Sequence, residues 1–271
     1  MEKIIISVSL FFILFSLSYG QEKKHILSVQ SGGGLHQLNY SPSNGNVKGG
    51  AGFSFDVSYG YFLGKHLGLT TGAGIQSLKS TATITSQTTI SDVDSDGDTY
   101  QFRTSYNNWK EDQNSLILTI PVGIAFRGDW SKKISWYATT GVKVFVPIQS
   151  KYKAEEGNIV TSGYYPQWNI ELTDMPQHGF TTVEGKLEGD VTLKTSFGAF
   201  LNAGTTFKLT EGLNLSAGVY GNYCFTSATD KKDTAPYQKN GMYSSLVNSA
   251  LVSKTKAISA GIQVGVIWSI E

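Results

Sequence analysis

The chain has 271 residues and one cysteine, with 22 Lys+Arg against 21 Asp+Glu for a formal charge of +1. That balance argues against a nucleic-acid binder, which carries a basic surplus, and a single cysteine excludes an internal disulfide framework or a multi-cysteine metal site. Charged residues are 16% of the chain, below the roughly 25% of an average soluble domain, whereas 30 glycines, 14 tyrosines and 14 phenylalanines point to a β-rich chain outside the usual cytosolic class.

Residues 1–20 read as a secretory signal peptide. Met1-Glu2-Lys3 is a short polar start, residues 4–17 are apolar apart from serines, and Ser18-Tyr19-Gly20 places small residues before a cut at Gln21. The run is short of the roughly 20 residues of a spanning helix. No cysteine follows it, which excludes a lipid-anchored lipoprotein. Residues 21–271 then form one domain. No second apolar run reaches spanning length, so membrane residence requires a closed barrel, because lipid offers no partner to an open sheet edge.

From there the period is two. A first strand over residues 26–38 sets Leu27, Val29 and Leu35 against Ser28, Gln30, Gly32 and Gly34. A second sets Ala51, Phe53, Phe55, Val57, Tyr59 and Tyr61 against Gly52, Ser54, Asp56, Ser58 and Gly60. The same contrast recurs in six more runs, at 67–76, 116–127, 136–148, 193–208, 213–222 and 258–268, which predicts eight strands. Most exceed the roughly 5–6 residues of a globular strand and reach the about 9–11 that cross a bilayer. Their polar face is Gly, Ser, Thr and Asn, which suits a narrow barrel interior better than the Lys- and Glu-rich outside of a soluble sandwich.

Connection lengths alternate. Short turns are expected at Leu63–His66, Asp129–Lys133 and Thr210–Gly212, long loops near 80–112, 154–188 and 227–253, and a medium loop at 39–49. Short periplasmic turns and long outer loops are the habit of an outer-membrane barrel. Tyr59, Tyr61, Phe126, Trp136, Phe207 and Trp268 all fall on the apolar phase at the short-turn ends, as a periplasmic aromatic girdle would. Phe53, Tyr223 and Phe225 suit the opposite ring. The expected fold is all-β: an eight-stranded antiparallel up-and-down transmembrane β-barrel with short periplasmic turns and long extracellular loops.

Leu118-Thr119-Ile120-Pro121-Val122-Gly123, Gly218-Val219-Tyr220-Gly221-Asn222-Tyr223 and Tyr243-Ser244-Ser245-Leu246-Val247, followed by Ala260-Gly261-Ile262-Gln263-Val264-Gly265, carry a resemblance. On these stretches the chain resembles the outer-membrane β-barrel proteins of Bacteroidetes, of OmpA-type or PorT-like kind. The resemblance covers most of the chain after residue 20 and implies a barrel, not a chemistry. The chain departs from an OmpA-type protein in carrying no soluble peptidoglycan-binding segment, and in ending Trp268-Ser269-Ile270-Glu271 instead of on an aromatic.

Candidate chemistry is sparse. Asp92, Asp94, Asp96 and Asp98 alternate around Gly97 as in a calcium loop, but Arg103 stands where such a loop closes with Glu, so an acidic solvated hairpin tip is favoured over a Ca²⁺ site. Asp56, Arg127, Lys143, Lys194 and Lys208 fall on the lumen phase, where a charge cluster would plug a small barrel or, as the minority alternative, line a narrow ion path. Of His25, His36, His66 and His178 only His36 falls on an expected strand, and no Ser–His–acid set is evident, so an enzyme is disfavoured. Cys224 suits a packed thiol. Tyr100, Phe102, Tyr106, Trp109, Tyr164, Tyr165, Trp168, Tyr237 and Tyr243 crowd the long loops, either to recognise a partner or to pack the loops together. The expectation is a non-enzymatic protein of a Gram-negative outer membrane with a structural or surface-interaction role, its partners being outer-membrane lipid, the barrel assembly machinery and an extracellular ligand. The alternatives are a small porin-like channel or transport accessory, and a lipid-modifying enzyme.

Overall fold

The computed structural model describes residues 24–270; the segment read from the sequence as a signal peptide, residues 1–20, lies outside them. Eight long strands close into one antiparallel ring: β1 (His25–Pro42), β2 (Gly45–Phe62), β3 (Leu67–Val93), β4 (Thr99–Asp129), β5 (Ile134–Tyr165), β9 (Ser196–Lys208), β10 (Leu213–Cys224) and β11 (Val252–Ile270). Neighbours in the chain are neighbours in the ring, with β5 meeting β9 and β11 closing on β1. Closure leaves the wall no open edge, which is what lipid demands. Both ends of the described chain lie at the short-turn rim, where His25 is paired with Ile270.

The wall is apolar outside and small and polar within. Phe53, Phe55, Val122, Val142, Leu201, Val219 and Val264 are exposed on the outer face, and Ile262 is 71% exposed. On the inner face Ser54, Gln76, Thr119, Ser216, Ser259 and Gln263 are buried. Eight strands leave an interior just wide enough to be filled by side chains, and large rings fit only where glycines make room. The Tyr137 ring lies across Gly204 and Gly218: a Cβ on either would fall 2.9 or 2.8 Å from it. The Tyr220 ring covers Gly32 and Gly261 in the same way, at 2.7 and 2.8 Å.

The three short turns are where the sequence places them. At the opposite end only the long segment near 227–253 is. The expected loop at 39–49 is a tight hairpin: β1 and β2 run to Pro42 and from Gly45, around Asn44 in left-handed backbone (φ 53°). Residues 80–112 apart from the turn at 94–98, and much of 154–188, are strand as well. β3, β4 and β5 are 27, 31 and 32 residues long, about three times a bilayer crossing. Lys79, Asn114, Lys151 and Lys153 replace apolar side chains on the outer face where these strands leave the membrane band. Beyond it they continue as a blade, to which β5 adds β6 (Ile170–Leu172), β7 (Thr182–Glu184) and β8 (Leu187–Asp190).

Bulges explain why the alternation fades in these stretches. The β3–β4 register shifts between Ile84 and Ser86, and the β4–β5 register shifts between Asn107 and Lys110 and again before Glu111. Buried positions on β4 are odd-numbered below the shift (Trp109, Glu111, Gln113) and even-numbered above it (Tyr106, Thr104, Phe102, Tyr100). Asn108 takes φ 47° and Gly157, opposite it, φ 87°; a Cβ at Gly157 would lie 2.4 Å from the Asn108 carbonyl oxygen, so only glycine fits there.

The segment between β10 and β11 does not join the sheet. It folds back into the outer mouth, with one turn of 3₁₀ helix at Leu246–Asn248 whose Ser245 hydroxyl accepts from the Val247 amide. Leu246, Val247 and Leu251 join Leu38, Leu78, Ile84, Tyr106, Trp109 and Tyr152 in one buried cluster. A second cluster, Tyr100, Phe102, Tyr165 and Phe180, holds the blade tip. Most of the loop aromatics therefore pack; Trp168, 54% exposed, is the clear exception among them.

Candidate functional site

The lumen is a chamber at the short-turn end beneath a plug. The chamber has a volume of about 350 Å³ and is lined from four strands by Gln30, Asp56, Tyr137, Thr139, Lys143, Phe200 and Asn202, reaching the rim at Lys65, Arg127 and Asp129. Asp56 and Lys143 face each other across it, Nζ to Oδ1 3.9 Å, with the Lys143 side chain only 6% exposed. Gly74 leaves the space the Asp56 carboxylate fills: a Cβ there would fall 2.2 Å from Oδ1. The Lys143 ammonium also lies 5.4 Å from the Phe200 ring centre. The Tyr137 hydroxyl accepts from Gln263 at 3.1 Å and from Gln30 at 3.4 Å, fixing that ring as part of the wall.

Above the chamber the lumen is filled. Phe145 is buried beside a polar layer in which His36 Nε2 meets the Tyr220 hydroxyl at 2.5 Å and Nδ1 meets the Ser77 carbonyl at 3.0 Å. Asn222 donates to Ser259 at 2.8 Å. Both ring nitrogens of His36 are thus occupied, and neither bonds a serine hydroxyl or a carboxylate as the hydrolytic pattern requires. Cys224 is buried, its thiol 3.3 Å from the Phe197 carbonyl, a packed position.

The outer closure turns on Glu111, which alternation alone did not single out. It is fully buried and accepts from the Ser245 hydroxyl (2.6 Å), the Tyr243 hydroxyl (2.6 Å), the Gln113 amide (2.7 Å) and the Leu246 backbone N–H (3.2 Å). Trp109 donates to the same Tyr243 hydroxyl at 2.8 Å. Three of the four donors belong to the segment that enters the mouth, so this carboxylate latches the cap to the wall. Complete burial pushes its carboxyl above the ordinary glutamate range, against the pull of the donors. The signal that would have found it is the run Trp109, Glu111, Gln113, Ser115, Ile117, which carries the lumen phase of β4 upward past the membrane.

The other charges of the expected lumen cluster do not gather at the Asp56–Lys143 pair. Arg127 stays at the inner rim, its guanidinium 3.9 Å over the Phe62 ring and its Nε donating to the Lys65 carbonyl. Lys208 is exposed at the same rim. Lys194 precedes β9, outside the lumen, and pairs with Asp230. His25, like His36, lies on a strand, at the start of β1. Of the girdle positions, Tyr59, Tyr61, Phe126, Phe207 and Trp268 are exposed on the outer face at the short-turn end, and Trp136 lies half-buried over Gly128. Phe53, Tyr223 and Phe225 are exposed toward the other end.

At the blade tip two of the four aspartates, Asp92 and Asp94, hold the hairpin through their carboxylates. Asp92 takes Lys239 (2.6 Å) and the Tyr100 hydroxyl, and Asp94 accepts from the Asp96 and Asp98 amides and the Tyr165 hydroxyl. These contacts hold both carboxyls below the usual range, through the Lys239 bond at Asp92 and the Asp98 amide at Asp94. Among the described residues no three His, Cys, Asp or Glu side chains converge as metal ligands.

Residues 7–241 match the model of the outer membrane protein β-barrel domain. Among solved structures the chain is similar to Neisserial surface protein A, at 12% identity and a TM-score of 0.38, over 93% of this chain and 100% of that one. It is similar also to Ail, the attachment invasion locus protein of Yersinia pestis (11% identity, TM-score 0.31, 90% and 99% covered), and to the outer membrane protein OprG from Pseudomonas aeruginosa (9%, 0.34, 90% and 94%). No curated protein matches the chain.

Proposed function

The chain belongs to the outer membrane protein β-barrel domain family, and from that membership we propose that it is a closed, non-catalytic barrel of a Gram-negative outer membrane that carries a rigid recognition blade on the cell surface. The observation behind this reading is the contrast between the two outer features. The lumen is shut by a side-chain plug and a cap latched on Glu111, whereas β3, β4 and β5 extend far past the membrane as ordered sheet. A conducting pore needs the first to be open, and a lipid hydrolase needs a nucleophile beside His36. A surface module needs only the second. Sixteen residues of β3 beyond Ser77, at about 3.3 Å each, carry the tip on the order of 50 Å along the strand. The outer belt contacts lipid, and assembly falls to the barrel insertion machinery.

The test compares cells displaying the full chain with cells displaying a barrel in which residues 86–105 are replaced by a two-residue turn. Attachment to protein- and polysaccharide-coated surfaces, and autoaggregation, should fall in the bladeless form. Equal behaviour on every surface removes the blade from the function.

A further inference from the structure

The chamber at the short-turn end plays no part in a surface role, and it faces the opposite side of the membrane. Its innermost charged groups are Asp56 and Lys143, at 3.9 Å. That separation lies beyond hydrogen-bond reach. An ammonium carries three donors, and among the described residues no acceptor stands within hydrogen-bond distance of Lys143 Nζ; the Phe200 ring centre lies 5.4 Å from it. A buried ammonium in that position favours an acceptor from outside the wall. The chamber is built to admit one: about 350 Å³, within the about 300–1,000 Å³ of small-molecule pockets, and with Gln30, Asn202 and Thr139 supplying amide and hydroxyl groups along the way.

The pair itself selects the ligand. A simple anion on Lys143 would face the Asp56 carboxylate, and a simple cation on Asp56 would face the Lys143 ammonium. A molecule with carboxylate and ammonium on one carbon satisfies both and adds no net charge to a low-dielectric interior, where an unbalanced charge is costly. We propose that the chamber is a binding site for a small zwitterion of the α-amino-acid type, entering from the periplasmic rim, its carboxylate on Lys143 and its ammonium on Asp56.

The experiment uses the folded protein in lipid nanodiscs and titrates glycine and L-alanine by calorimetry, with acetate and methylammonium as single-charge probes. Saturable binding of the amino acids is expected, with each single-charge probe weaker by about tenfold or more. Lys143→Met and Asp56→Asn should each reduce amino-acid binding by at least that factor. Either change strands a buried charge, so the double variant Asp56→Asn/Lys143→Met, neutral throughout and checked for folding by its mobility in cold SDS, is measured as well; it too should lose the binding. Absence of saturable amino-acid binding to the wild type overturns the proposal. So does binding that survives in the folded double variant, or acetate binding as tight as glycine.

Discussion

Glu111 shows how much one residue holds at the outer mouth. Removing its carboxylate strands two hydroxyls and two amides in a dry site, and each unmade bond to a buried polar group costs about 1–3 kcal/mol. Glu111→Ala is therefore expected to loosen the cap by about 3 kcal/mol. It should lower the temperature at which the cold-SDS band shifts, and open residues 231–242 to protease. An unchanged digestion pattern would show that the apolar contacts of Leu246, Val247 and Leu251 suffice alone. The same residue sets a pH dependence. Its carboxyl is raised by burial, so the folded cap binds that proton more tightly than the open one. Stability from this group is then fully present below the ordinary glutamate range, and it declines as pH rises from there to the raised value. Exchange protection of the Leu246 and Val247 amides, corrected for intrinsic rate, should fall as pH rises above the ordinary glutamate range; protection that grows with pH reverses the sign.

At the scale of elements, the blade and the barrel wall are the same three strands under two sets of rules. Within the membrane, alternate positions of β3–β5 face lipid and lumen. Above it, the bulges at Asn107–Lys110 and Gly157 swap the phase, and the buried face becomes a local core closed by Phe180 and Tyr165. The tip cluster shares no residue with the cluster at the mouth, and Tyr106, which belongs to the latter, lies outside residues 86–105. Excision of residues 86–105 should therefore leave the barrel folded, with its heat-dependent mobility shift intact. Loss of that shift would mean that the blade and wall fold as one unit. Within the excised stretch lie Phe102 and Tyr100, whose positions on β4 are readable from alternation only once the bulge is known. Period-two patterning is local and loses its phase at each inserted residue.

For the whole molecule, closure is the decisive property. A ring of eight strands filled by Phe145, Tyr220, His36 and Tyr137, and capped above Glu111, should pass no steady current in a planar bilayer. Replacing residues 229–250 with a short flexible linker removes the cap but leaves Phe145 and the His36–Tyr220 layer in place. Conductance should stay at background, which locates the seal in the lumen itself. A current that appears only in this variant would instead make the cap the gate.

Composition and alternation determined the membrane barrel: the eight runs, their small polar inner face, the short turns and the aromatic positions at one end all follow from a period of two that each residue obeys locally. Asp56 and Lys143 were legible on the lumen phase for the same reason, although only the closed ring put them face to face, because β2 and β5 are not neighbours. The tertiary structure alone decided the rest. Glu111 and its four donors are drawn from β4 and a segment 132–135 residues further on, and no local pattern encodes that distance. The polar stretches assigned to loops became a blade because cross-strand pairing carried across the bulges, not hydrophobic contrast, keeps them in sheet.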